Sequence, residues 1–249
     1  MYRRSLSAAI LAILGSIPSI LGAEPASTAA SVPPAAPPTY TEGWKDLFPA
    51  PDFAHWTRKP LNPAQALHTT TQWTVDPAAH VLTCSGDQGH EWLRYDQEFT
   101  DTLLHVEWRF KPLPPTSTAN PASVNAGIYV RNNADGWIYH QAQVKTASYL
   151  FAVTPVNGIV QRMNLPTKPW PEALPAAAKL LVVDPVNRIT DAFAWNTTDI
   201  LCEGRTITLW VNGAFQSRLE SCEIPRGFIG LEAEGYAIEF RDVRLRELP

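Results

Sequence analysis

The sequence predicts an all-β protein, an antiparallel sandwich of two sheets. Two observations carry that expectation. Roughly ten short segments alternate apolar and polar residues or are bounded by turn residues, as strands of a sandwich do. Almost no stretch holds a helical period over ten residues, and neither crossover helices nor an internal repeat separate the segments.

The strands are expected at Trp73–Val75, Val81–Ser85, Leu103–Lys111, Ala126–Arg131, Trp137–Val144, Ile200–Cys202, Thr206–Val211, Ala214–Arg218, Phe228–Ala233 and Ala237–Leu248. The Leu103–Lys111 segment alternates cleanly, with Leu104, Val106, Trp108 and Phe110 opposite His105, Glu107, Arg109 and Lys111. Asn212-Gly213 marks a two-residue hairpin, because both residues tolerate positive φ. Glu172–Leu181 has the composition for a turn or two of helix, limited by Pro175. The proline-rich stretches 112–121 and 165–185 lack too many amide donors for core strands. They are expected to cross the surface as loops able to wall a site.

Outside this fold, residues 1–23 have the form of a secretory signal peptide: Arg3 and Arg4, an interrupted apolar run from Leu6 to Leu21, then Leu21-Gly22-Ala23. No cysteine lies near that point, so no lipid anchor is expected, and the reading is a secreted or periplasmic protein. Residues 24–40, rich in proline and alanine, read as an extended tether, with the sandwich domain over 41–249. Loss of the leader leaves 18 basic against 24 acidic side chains. That balance speaks against nucleic acid or an anionic membrane as partner, and a mean hydropathy of −0.14 speaks against an integral membrane protein. Cys202 and Cys222 bracket a predicted hairpin and could pair in an oxidising compartment if the strand ends curl together; Cys84 reads as a strand residue.

The hairpin Val124–Lys145 is the first candidate for chemistry. Ile128 and Val130 share one face, opposite Tyr129 and Arg131. On the returning strand Tyr139, Gln141, Gln143 and Lys145 lie opposite Ile138, His140, Ala142 and Val144. Aromatic rings, amides and a guanidinium on one face suit a hydroxyl-rich ligand, so a carbohydrate is expected. His140 falls on the apolar face and reads as a core histidine, and Trp195 also reads as core. His105 falls on a polar face and is the better histidine for ligand binding. Glu232 and Glu234 alternate onto one face about 6.8 Å apart, a spacing suited to an acid–base pair and equally to a solvated outer face. Arg131 and Arg241 could fork onto ligand oxygens or pair with Glu232 or Glu239. The chain lacks a phosphate loop, a GxSxG elbow and a CxxC pair, and Gly89-His90-Glu91 has no second histidine to make a zinc-protease helix. No organic cofactor is expected; calcium or another divalent metal held by oxygens stays open.

Four blocks occurring in order make the chain similar to a known family: GWKDLFPAPDFAHWT, VNAGIYVR with HQAQV, AWNTTDILCEGRTITLWVNG and GFIGLEAEGYAIEFRDVRLREL. Together they resemble the 3-keto-disaccharide hydrolase family over about residues 43 to 248. The resemblance implies a concanavalin A-like jelly-roll sandwich, and substrates oxidised at C3 of a sugar by a partner sugar 3-dehydrogenase. It implies cleavage by proton removal at C2, expulsion of the glycosidic oxygen and addition of water. Asn125, Gly127 and Arg131 match an NSGIYLR-like run, Gln143 an EVQ-like run, and Arg241 an FRN-like ending. Glu232 and Glu234 fall where the family often has glutamine followed by an acid or histidine. Gln141 stands where the family has a glutamate, the aspartate that usually follows is missing within Val144-Lys145-Thr146, and the GALY-like stretch reads Ser148-Tyr149-Leu150-Phe151.

The expectation is therefore an exported carbohydrate-active protein that cleaves 3-keto-glycosides. Glu232, Glu234 and Arg131 are its expected catalytic residues, and Asn125, Tyr129, Gln141, Gln143, Arg241 and His105 would bind substrate. The alternative is a non-catalytic carbohydrate-binding sandwich. An ordinary glycosidase of this fold would carry an ExDxxE run, which the chain lacks.

Overall fold

A computed structural model describes residues 33–62, 64–118, 120–145, 148–163 and 181–249. The signal peptide, the first part of the tether and most of the 165–185 stretch, including the helical turn at 172–180, lie outside the described residues.

Two antiparallel sheets build the domain. The nine-stranded sheet runs in the order β11 (Leu181–Val183), β14 (Ala214–Leu219), β13 (Thr206–Val211), β12 (Asn196–Glu203), β6 (Thr102–Phe110), β16 (Ile238–Glu247), β4 (Val81–Cys84) and β3 (Trp73–Asp76), with β1 (Trp44–Asp46) paired to β16. The seven-stranded sheet runs β10 (Ile159–Met163), β9 (Leu150–Val156), β8 (Tyr139–Lys145), β7 (Asn125–Asn132), β15 (Gly227–Ala233), β5 (Glu91–Phe99) and β2 (Trp56–Pro60). Among the described residues the only helix is one 3-10 turn at Pro121–Ser123, capped by the Asn120 side chain. The expected all-β, two-sheet sandwich is the fold observed.

Alternation builds the core. From β6, Leu104, Val106, Trp108 and Phe110 point inward. They meet Leu93, Ile128, Val130, Ala142, Val144 and Leu231 from the facing sheet. Each such side chain contributes about 1.5–3 kcal/mol by leaving water. β5 was not expected from the sequence. Trp92 and Leu93 are both buried although they point to opposite faces, which erases the period-two signal. Trp92 is covered on the outer face by Tyr129, edge-on with ring centroids 5.7 Å apart.

Several other expectations change. The described end of the tether is held down: Trp210 Nε1 donates to the Pro34 carbonyl at 2.9 Å and Phe215 N to the Ala35 carbonyl at 3.0 Å. Cys84, Cys202 and Cys222 are buried free thiols, so the Cys202–Cys222 bond is not formed, and burial pushes the Cys202 thiol up to about 12. His140 is buried as expected; its Nε2 lies 2.9 Å from Thr154 Oγ1 and 3.4 Å from Cys222 Sγ, and burial lowers its pKa to about 4. Trp195 leaves the core. Its ring is met by the guanidinium groups of Arg109 and Arg241, whose carbons lie 4.5 and 4.1 Å from its centroid.

Candidate functional site

The outer face of the seven-stranded sheet carries a pocket of about 330 Å³, bounded on one side by Glu232, Glu234 and Asn125 and on another by Lys145 and Arg162. Strand register explains the convergence. Tyr129 pairs with Gln141 across β7 and β8, and with Gly230 across β7 and β15, so successive outward positions bring Glu232 beside Gly127 and Glu234 beside Asn125. On the other side of β15, Ala233 faces Glu91, which brings Glu234 next to His90.

Gly127 is where this arrangement needs a glycine. A Cβ there would overlap the Gln141 amide and lie 2.6 Å from Glu232 Oε2. The missing side chain lets Gln141 and Glu232 meet above the backbone. Glu232 accepts from Tyr129 Oη at 2.6 Å on one oxygen and from Gln141 Nε2 on the other. Gln143 Nε2 donates in turn to Gln141 Oε1 at 2.6 Å, which fixes the orientation of that amide. Asn125 Nδ2 donates to Glu234, and His90 Nε2 lies 3.4 Å from the other Glu234 oxygen.

The two carboxylates differ in setting. Glu232 is 3% exposed, and among the described residues no cation lies within ion-pair distance of it. Burial first, and the adjacent Glu234 charge second, push its pKa up from 4.5 to about 8, against the hydrogen bond from Tyr129. Burial and the Glu232 charge likewise raise Tyr129 well above the ordinary tyrosine value. The hydrogen bond to Glu234 raises His90, which favours the imidazolium at that end of the pocket. On the opposite wall Lys145 Nζ donates to Tyr149 Oη at 3.2 Å, and Arg162 stacks on Phe151 at 4.9 Å. Neither cation has a carboxylate within ion-pair distance among the described residues.

Of the residues expected from the sequence, Asn125, Tyr129, Gln141, Gln143, Glu232 and Glu234 line this pocket. Three do not. Arg131 is 2% exposed and lies away from it, with Nη1 donating to the Gly204 carbonyl and Nη2 to Asp101 at 3.0 Å. The cause is a bulge: two residues of β7, Val130 and Arg131, span the interval that Ile229 alone fills on β15, and Arg131 takes φ +50°. The alternation that puts Tyr129 outside therefore fails two residues later. Arg241 and His105 lie on the other sheet. Arg241 Nε donates to Glu107 at 2.5 Å, and His105 bridges Asp199 and Asp242 at 2.7 and 3.4 Å.

Residues that the sequence reading did not assign also line the pocket: Tyr139, Lys145, Tyr149, Phe151 and Arg162, with His90 at its edge. Tyr139 and Lys145 had been placed on the correct face by alternation. His90 gave no local signal, since it reaches Glu234 only through the pairing of β5 with β15. His90, Glu232 and Glu234 each offer a ligand atom within 4.8 Å of the others and could hold a divalent cation; so could His105, Glu107 and Asp242.

A sandwich with amides, aromatics and two carboxylates on an outer sheet face defines a carbohydrate-directed β-sandwich protein. More particularly, the chain belongs to the 3-keto-alpha-glucoside-1,2-lyase-like domain family, whose pattern it matches over residues 43–246. Curated proteins yield no match. Among solved structures it is similar to two proposed glycosyl hydrolases of Parabacteroides distasonis. One shares 15% identity at a TM-score of 0.53, over 83% of this chain and 94% of that one. The other shares 16% at 0.51, over 83% and 100%. A carbohydrate-binding module, CBM66 of Bacillus subtilis, shares 11% at 0.52, over 78% and 96%. At these identities the likeness is one of fold. No helix among the described residues is long and apolar enough to cross a membrane.

Proposed function

We propose that this protein cleaves 3-keto-glycosides by elimination across C1 and C2 followed by addition of water. The observation that carries the reading is Glu232, a buried carboxyl held by neutral donors beside a second carboxylate in one pocket. Two carboxyl groups whose surroundings differ in this way divide into an acid and a base. Glu234, beside His90 and the more open of the two, takes the C2 proton, which the neighbouring ketone acidifies. The electrons pass to the ketone oxygen as an enolate, and Lys145 and Arg162 are the cations available to face that charge. Collapse of the enolate restores the ketone, forms the C1–C2 double bond and expels the glycosidic oxygen, which receives the Glu232 proton. Water then adds at C1 with a proton at C2, completing net hydrolysis.

Gln141 fits this scheme as a donor. A carboxylate there would set a third acidic group against Glu232 and Glu234, whereas the amide orients Glu232 without adding charge. Supply of the ketone by a sugar 3-dehydrogenase, and export directed by residues 1–23, belong to the same proposal.

The test is incubation with a 3-keto-α-glucoside and with its unoxidised parent, following release of the leaving group. Release from the ketone alone is expected. Release from the parent would indicate an ordinary glycosidase. Binding without release from either would make this a binding module, the reading that the likeness in fold to a carbohydrate-binding module would then favour.

A further inference from the structure

A second hollow of about 260 Å³ adjoins the carboxylate pocket, lined by Leu61, Asn62, Gln65, His90, Trp137 and Tyr139. Leu61 and Tyr139 line both, so the two are immediate neighbours. His90 stands at their junction, beside Glu234. The composition changes across it: the first pocket is dominated by charged and amide groups, the second by rings and aliphatic carbon with two amides.

Trp137 is the exposed tryptophan of the described residues, with 59% of its surface open. The turn that carries it is well held. Asn133 N donates to the Ile138 carbonyl at 3.0 Å, Asn133 Oδ1 accepts from Ile138 N at 3.1 Å, and Gly136 N donates to the Asn133 carbonyl at 3.1 Å. Gly136 takes φ +74°, and a Cβ there would touch Trp92 Nε1 at 3.4 Å, so the turn rests on a buried indole. A large apolar ring kept in water by a fixed turn, at the mouth of a pocket, is a surface prepared for a ligand.

We propose that this hollow is the leaving-group subsite, and that it takes a pyranose ring stacked on Trp137. The apolar C–H face of a sugar matches the indole, and the Asn62 and Gln65 amides are placed to meet its hydroxyls. Trp137 is then a specificity-determining residue: it favours a second sugar over a small alkyl leaving group. The proposal rests on the cleavage reading for its chemistry, while its binding claim can be tested separately.

The experiment compares wild type with Trp137→Ala on two substrates, methyl 3-keto-α-glucoside and a 3-keto-α-glucosyl-glucose. The ratio of kcat/KM for the disaccharide to that for the methyl glycoside is expected to fall about tenfold in the variant, mostly through KM, with Tm unchanged. An unchanged ratio overturns the proposal, whether both rates fall together or neither does. If neither substrate is cleaved, the function proposed above fails, and calorimetric titration with glucosyl-glucose and methyl glucoside decides the subsite. A disaccharide advantage in Kd that is lost in Trp137→Ala supports it; no advantage in wild type, or one that survives the substitution, overturns it.

Discussion

The outer faces of the two sheets are built from similar residues and do different things. On the nine-stranded sheet Glu107 meets Arg241 at 2.5 Å, Glu239 meets Arg109 at 2.6 Å, and His105 sits 2.7 Å from Asp199. The two guanidinium groups also lie over the ring of Trp195, so its aromatic surface is engaged by cations of its own sheet. Each of these three acids has an arginine or imidazole partner on the same sheet. On the seven-stranded sheet the hydrogen-bond donors to buried Glu232 are a phenol and an amide, and the cations Lys145 and Arg162 across the pocket have no acid within ion-pair distance among the described residues. What marks a site is therefore how charge is matched. Carboxylates closed by arginine stabilise a surface, whereas carboxyls held by neutral donors keep a proton to exchange.

The sharpest test substitutes one acid on each face. Glu232→Gln is expected to lower kcat on a 3-keto-α-glucoside by about 10²–10⁴-fold, the range for loss of a general acid. Glu107→Gln should leave it within about twofold, since Glu107 lies on the other sheet and does not line the pocket. In the proposed mechanism the protonated Glu232 is the active form, so kcat/KM should fall as pH rises through about 8. A Glu107→Gln variant as impaired as Glu232→Gln would break the contrast between the faces.

Stability should report the same difference at smaller scale. The folded-state pKa of Glu232 lies above its unfolded value, so its contribution is fully present below about 4.5 and is lost as pH rises through about 8. Urea unfolding should show wild type losing up to about 5 kcal/mol across that interval relative to Glu232→Gln, which has no proton to lose. Parallel pH profiles for the two proteins would mean that burial does not perturb this carboxyl.

Much of the fold was legible because alternation survives wherever one strand face is core. β6 shows this best, with Leu104 to Phe110 inward and His105 to Arg109 outward. The candidate site was legible only in part. Period two places Tyr129, Gln141 and Gln143 on one side of their strands, but it does not say which sheet a strand joins. His105 and Arg241 were therefore grouped with a pocket on the opposite side of the sandwich. Arg131 misled for a local reason, the bulge that turns it inward, and nothing in VNAGIYVRNN announces that bulge. His90 stayed hidden because its partner Glu234 is distant in sequence, and only the register of β5 against β15 brings them together.

The smallest expected effect lies on the face that was mistaken for part of the site. Arg241→Met removes one guanidinium from Glu107 and from Trp195, both partly open to solvent. A surface ion pair is worth about 0–1 kcal/mol and a cation–π contact at an exposed site about 0.5–1 kcal/mol. The loss in urea unfolding should therefore be about 1 kcal/mol, shrinking as salt screens the pair. Binding and turnover of a 3-keto-α-glucoside should not change, because no atom of Arg241 lines the pocket. A large rise in KM for this variant, with stability intact, would mean that the nine-stranded sheet also receives substrate, and self-paired charge would then no longer separate a structural face from a working one.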